Sequence, residues 1–254
     1  MKKIISIDIG LRNCSFSCVS KEFPDSKYQI HLWNNFNFLD EPIEKCKSLT
    51  KKGLICGKDC KFKSDDEYFC GTHLDKKSNF KELKKKLVDS FTMQEISLIV
   101  LNKITEIYND NRDIFKDLDK ILIEKQVRAS PKMIMVSNLV FGKLTELLQD
   151  TETLIRFVSA SKKALLFGID VIDSKINGTL KGKKGYVNRK KSSIEFVTTF
   201  LQNDKIIDSA KWLDLLQNER KSDDLCDAFM YSISELMGND IIKKNKKKVK
   251  VKST

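Results

Sequence analysis

Lys3-Ile4-Ile5-Ser6-Ile7-Asp8-Ile9-Gly10, residues 3–10, is the stretch whose reading decides the fold. Ile5, Ile7 and Ile9 alternate with Ser6 and Asp8, the two-residue period of a β-strand. Gly10 follows, and glycine ends strands because it accepts backbone angles that other residues resist. The strand is read as central and buried, with Asp8 presented at its end. A buried carboxylate without a partner is costly, so Asp8 is either a turn or capping residue or the ligand of a cation. The rest of the chain must decide.

With 254 residues, 41% hydrophobic content and three prolines, the chain can bury a substantial core, as one domain with an insertion or as two small domains. It holds no apolar run of roughly eighteen residues, so a membrane span is not expected. A strand beginning at the first residues leaves no room for a secretory signal. The net charge is +12 and clustered: residues 45–86 carry 13 lysines against six acids, residues 181–191 six basic residues and no acid, and residues 243–252 seven lysines. Clustered lysine gains affinity for nucleic acid by releasing condensed counterions, so a polyanion is the simplest partner. A solvated lysine surface is the bland alternative, and residues 241–254 are read as a basic disordered tail.

Seven cysteines without a signal sequence are read as reduced thiols or metal ligands. Cys14 and Cys18 share one face of a second strand and Cys226 lies in a late helix, all three as core residues. The others cluster with a histidine as Cys46, Cys56, Cys60, Cys70 and His73, spaced C-x9-C-x3-C-x9-C-x2-H in the lysine-rich segment 43–77. Thiolate and imidazole suit tetrahedral zinc. A segment this short and polar cannot support itself by burial, so one structural Zn2+ would supply its folding energy. Five candidates compete for four places. Cys46, Cys56, Cys70 and His73 are the preferred set, as a small inserted finger with Gly53 and Tyr68 at its turns, and Cys60 stays open as a ligand.

Cys14–Ser20 and Tyr28–Phe38 are the next expected strands, around a turn at Pro24-Asp25-Ser26. Residues 79–109 read as helical, with Phe91, Ile96, Ile99, Val100, Ile104 and Ile107 on one apolar face. Ile121-Leu122-Ile123 reads as a buried strand that ends at Glu124. Ser130-Pro131 starts a helix reaching about Gln149, whose apolar residues exceed one core-facing stripe. Such a helix is central or forms an oligomer interface, with Met135 and Leu139 as outward candidates. A strand over residues 153–159, a glycine-lysine loop over 168–186 and helices over 189–201, 211–217 and 221–237 complete the chain.

The last helix opens Ser222-Asp223-Asp224-Leu225-Cys226-Asp227-Ala228. Ser222 as cap and acids in the first turn complement the positive helix end, which accounts for Asp223 better than for Asp227. Asp224 and Asp227 are three apart and share one face. Facing Asp8 and Glu124, they would repel unless divalent cations lay among them. Hard carboxylate oxygens suit Mg2+ or Mn2+, and two such ions activate water and stabilise the leaving oxygen in phosphodiester hydrolysis. Actin-like ATPases also open on a hydrophobic-Asp-hydrophobic-Gly strand, but they need glycine-rich phosphate loops at several places, and none is seen here.

The segments IDIGLRN, LIEKQVRASP, GYVNRKKSSIEF and RKSDDLCDAF occur in that order. Together they resemble the poxvirus Holliday junction resolvases, in the RuvC branch of the RNase H-like superfamily, from Lys3 to about Met237 with the cysteine module left out. The resemblance implies an α/β, RNase H-like fold with a central mixed five-stranded sheet flanked by helices, formed by residues 1–42 and 78–240. It implies that Asp8, Glu124, Asp224 and Asp227 hold two Mg2+ or Mn2+ ions. It assigns DNA contact to Arg128, Lys184, Arg189, Lys190, Lys191 and Lys221, with the lysines neutralising phosphate near the cut. A homodimer making paired nicks in four-way junctions, with 5′-phosphate ends, is implied as well. So is an intracellular setting without membrane contact, at a cytoplasmic site of viral replication rather than in the nucleus. The finger, the lysine tail and the long glycine-lysine stretch depart from the poxvirus pattern. Alternatives that stay open are a related RNase H-like nuclease for RNA–DNA hybrids or other branches, and a non-catalytic nucleic-acid-binding protein.

Overall fold

The computed structural model describes residues 1–39, 44–64, 67–74, 79–83, 88–126, 131–160, 183–203 and 205–238, with side chains from residue 190 onward in the helix that begins at Lys183. The Ser130 cap, most of the glycine-lysine loop and the 241–254 tail lie outside the described residues. The chain divides into two compact units, Met1–Phe38 with Met93–Thr254, and Leu39–Thr92. In chain order, β1 (Lys2–Asp8), β2 (Cys14–Lys21) and β3 (Tyr28–Phe36) precede β4 (Phe62–Ser64), β5 (Glu67–Phe69) and β6 (Lys81–Glu82) of the smaller unit. Then come α1 (Met93–Asp110), the short α2 (Arg112–Phe115), β7 (Lys120–Glu124), α3 (Pro131–Leu147) and β8 (Leu154–Val158). The chain closes with α4 (Lys183–Gln202), α5 (Ser209–Asn218) and α6 (Ser222–Met237).

Five strands form one mixed sheet in the order β3-β2-β1-β7-β8, antiparallel from β3 to β1 and parallel from β1 to β8. Register assigns the faces, because side chains alternate along a strand. Ser6, Leu122 and Arg156 are partners across β1, β7 and β8, and so are Ile7, Ile123 and Phe157 on the opposite face. Phe157 stacks on Phe141 of α3 with ring centroids 5.2 Å apart. Arg156 instead reaches Glu235 of α6 at 2.6 Å. Helices α3 and α6 therefore cover opposite faces, and α1 packs against α3. With both faces covered, β1 and β2 are buried almost end to end, Cys14 and Cys18 included.

The core on the α6 side joins β2 and β3 to α4, α5 and α6. Trp33 is its centre: its indole N–H donates to the Leu225 carbonyl at 2.8 Å, and its ring lies 5.2 Å from Phe229 and 6.3 Å from Trp212. Each large apolar side chain buried there contributes about 1.5–3 kcal/mol, so the start of α6 is held firmly against the sheet.

The structure departs from the expectations in four places. Residues 79–109 are not one helix, since Lys81 and Glu82 pair with Lys63 and Phe62 and α1 begins only at Met93. That pairing adds a third strand to the small sheet, which makes the compact unit wider than the 43–77 expected from its cysteines. Tyr68 sits within β5 rather than at a turn. Ser222 is the first residue of α6 and not its cap; Lys221 holds that position without a side-chain capping bond. Among the described residues, no helix is long and apolar enough to cross a membrane.

Candidate functional site

Lys120 Nζ lies 2.8 Å from Glu235 Oε1, which ties the last turns of α6 to the start of β7. From there α6 runs antiparallel to β7. Four residues of helix rise about 6 Å and two residues of strand about 6.6 Å, so the two elements stay in step. Tyr231 accordingly packs against Leu122, and the carboxylates of Glu124, Asp8 and Asp227 lie near its phenol. Asp8 and Glu124 stand one residue beyond the Ile7–Ile123 pair, side by side on the face that carries Ser6 and Leu122. Buried serines let α6 approach closely: Ser6 Oγ donates to the Ala228 carbonyl at 2.6 Å and touches the Ser232 hydroxyl. Ser232 Oγ donates in turn to the Ser17 carbonyl at 3.1 Å.

Helix α4 closes the other side. Ser193 Oγ donates to Asp227 Oδ1 at 3.1 Å, and Lys190 pairs with Asp223 and lies 3.7 Å from Asp224 Oδ1. A positive charge thus already faces the first turn of α6, while Lys191 and Lys221 are exposed. Arg128 and the side chains of Lys184 and Arg189 lie outside the described residues. Tyr231 is fully buried among Ile4, Leu122 and Val158. Burial, above all, and the neighbouring carboxylates of Glu124, Asp8 and Asp227 push its phenol well above the ordinary tyrosine range. Tyr231 and Ser193 are the residues that sequence reasoning missed. For Tyr231 the available signal was spacing, four residues beyond Asp227 on the same helix face.

The smaller unit carries a different donor set. Cys46, Cys56, Cys70 and His73 bring their ligand atoms within 4.8 Å of one another. The sulfurs of Cys46 and Cys70 each lie 3.5 Å from His73 Nδ1, and those of Cys56 and Cys70 lie 3.8 Å apart. Burial raises the Cys46 thiol, but hydrogen bonds from Ser48, the Cys70 backbone and His73 outweigh it and hold the group at about 6. Three thiols and one imidazole in this arrangement suit a tetrahedral zinc ion. Cys60 is buried beside Cys46 and Cys70 but outside the four; burial and those two neighbours push its thiol up. Among the described residues, the four carboxylates of the larger unit are not drawn into a comparably tight group.

No family model matches the chain. The chain is 24% identical over 213 residues to an uncharacterized protein of Acanthamoeba polyphaga mimivirus, a match that covers 77% of this chain and 49% of that protein. It therefore spans about half the length of that curated relative. In structure it is similar to the yeast mitochondrial Holliday junction resolvase Ydc2, with a TM-score of 0.53 and 14% identity over 96% of this chain and 81% of that one. The fowlpox virus resolvase, solved with its substrate Holliday junction DNA, aligns at a TM-score of 0.45 and 15% identity over 93% of this chain and 99% of that one. The mixed sheet flanked by helices is the RNase H-like fold of the yeast enzyme.

Proposed function

We propose that this chain is a divalent-metal-dependent endonuclease that resolves four-way DNA junctions by paired nicks. The reading is supported by one grouping: Asp8 and Glu124 end adjacent parallel strands, and both lie with Asp227 of α6 around the buried Tyr231 phenol, with Asp224 one turn earlier on the same helix. Hard oxygen donors in this number fit Mg2+ or Mn2+. Bound among them, two such ions would activate the attacking water and stabilise the departing oxygen. The protein's own residues do the positioning. Asp8 and Glu124 are fixed by the sheet, Ser193 holds one oxygen of Asp227, and Lys190 offsets the charge of Asp223 and Asp224. Lys191 and Lys221 are exposed to meet backbone phosphate. Attack on phosphorus with departure of the 3′ oxygen leaves a 5′-phosphate and a 3′-hydroxyl, which a ligase can rejoin. One structural Zn2+ is assigned to Cys46, Cys56, Cys70 and His73.

We assign to Tyr231, whose phenol is buried beside the carboxylates of Glu124, Asp8 and Asp227, a positioning role for Glu124. Tyr231→Phe keeps the buried ring and removes only the hydroxyl, so folding should survive. Cleavage should fall about tenfold at limiting metal and recover in part at high metal, as for the loss of a group that orients a ligand. A metal titration of the cleavage rate checks this, and an unchanged midpoint rejects the role.

Two coordinated nicks on a near-symmetric junction call for two active sites, which a two-fold homodimer supplies. The proposed interface is the open face of α3, a shallow groove lined by Pro131, Ile134, Met135, Asn138 and Leu139. Ile134 is 41% exposed, and Met135, half-buried, lines the groove while its sulfur receives the Ser97 hydroxyl of α1 at 3.6 Å. Ile134→Glu should give folded monomers that nick junctions singly. Sedimentation of the wild-type protein as a monomer at micromolar concentration, with and without junction, rejects this interface.

A further inference from the structure

The metal-ligating hairpin of the smaller unit carries features that the nuclease reading leaves unused. Its two arms are joined by the Cys46 amide to the Lys58 carbonyl at 2.8 Å and the Cys56 amide to the Ser48 carbonyl at 2.9 Å. Cys46 and Cys56 belong to the Cys3His cluster, so an ion there pins the base of an element too short to be stable alone. The tip is a tight turn: the Gly53 amide donates to the Thr50 carbonyl at 2.9 Å, with Gly53 at φ +76°. Beyond it Leu49 and Ile55 pair across the arms.

On this rigid tip Leu49, Leu54 and Ile55 are 64%, 66% and 70% exposed. Single exposed aliphatics are ordinary, but three within seven residues at the end of one pinned hairpin form a patch. Residues 47–58 also hold four lysines, Lys47, Lys51, Lys52 and Lys58, and no acid. The next acid along, Asp59, is paired with Lys45 at 2.5 Å. An aliphatic point set among cations complements a surface where apolar faces open between rows of negative charge.

We propose that this tip is a wedge that inserts against unstacked bases at the branch point of a DNA junction, with its lysines on the flanking phosphates. Leucine and isoleucine wedges enter base steps where stacking is already weakened, and lysine contacts release counterions. The inference rests on the junction-resolving function proposed above, and it gives the smaller unit a role in selecting the branch. An anionic membrane is the competing occupant.

The test uses the full chain and a four-way junction carrying 2-aminopurine beside the branch point. Wild-type protein should raise the fluorescence of that base. Leu54→Ser/Ile55→Ser should abolish the rise and weaken junction binding about tenfold, with linear-duplex binding changed less than about twofold. Zinc content should be unchanged, since the substituted side chains are exposed; Leu49→Ser serves as an independent second variant. Lys51→Ser/Lys52→Ser should weaken both DNAs and flatten the salt dependence. Tip variants that match a junction-nicking wild type in binding and fluorescence overturn the wedge alone. Loss of binding to phosphatidylserine-containing vesicles, with junction binding intact, assigns the tip to membrane instead. A wild-type protein that neither nicks junctions nor prefers them to duplex overturns the proposed function and the wedge with it.

Discussion

Asp8→Asn and Asp227→Asn are each expected to lower strand cleavage at least about a thousandfold while junction affinity falls less than about threefold. The amide keeps the size of the carboxylate and removes the charge that holds a divalent cation. In Asp227→Asn the amide still offers an oxygen to Ser193, whose hydroxyl lies 3.1 Å from Asp227 Oδ1, so α4 and α6 should stay packed. Removing one of several facing carboxylates also relieves repulsion, so both variants should melt at or above the wild-type temperature. DNA affinity should persist because the proposed phosphate contacts are lysines. Asp223→Asn is the contrasting case: Asp223 is engaged with Lys190 in the first turn of α6, and its loss should slow cleavage far less. Single-turnover cleavage of a labelled junction, with gel-shift titration of the same DNA, measures both quantities. Wild-type rates in both variants would remove these residues from the site.

Cys70→Ser is expected to release the metal and unfold the smaller unit while the larger unit keeps its melting transition. The purified protein should hold about one zinc per chain. Among the described residues of the smaller unit, the buried cluster consists of Cys46, Cys60 and Cys70, with Cys56 and Tyr68 packed alongside. Structural zinc supplies about 10–16 kcal/mol of apparent folding energy in modules of this size, far more than such a cluster yields by burial. Metal analysis and limited proteolysis across residues 44–83 report the outcome directly. Cys60→Ser should keep both the metal and the protease resistance, because Cys60 lies beside the four ligands and not among them. A protein free of zinc after purification without chelators would contradict the assignment.

Much of this is readable in the chain, and what is not has a common cause. The alternation in residues 3–10 marks β1 correctly, yet Ser6 faces a helix 222 residues away rather than water. Alternation reveals the period of a strand and not what covers each face. The cluster of Cys46, Cys56, Cys70 and His73 is legible because metal chemistry asks for these residue types at short reach. The edges of their unit are hidden, since β6 is a two-residue piece of a lysine-rich segment that becomes a strand only by pairing with β4. Asp8, Glu124, Asp224 and Asp227 can each be picked out, but the proposed grouping of them depends on how α6 lies along β7, where Glu235 pairs with Lys120 and Arg156. The roles of Tyr231 and Ser193 follow from that same long-range register. Lys190 enters as a DNA contact through the family resemblance; its pairing with Asp223 spans 33 residues of sequence that no local pattern bridges.

The most direct test is incubation of the wild-type protein with a strand-labelled four-way junction, beside linear duplex and RNA–DNA hybrid controls, with and without Mg2+ or Mn2+. The expected result is a pair of symmetric, ligatable nicks in opposing strands of the junction, made only when metal is present, with the controls left intact. Equal cleavage of duplex or hybrid, or tight junction binding with no metal-dependent cleavage, would contradict it.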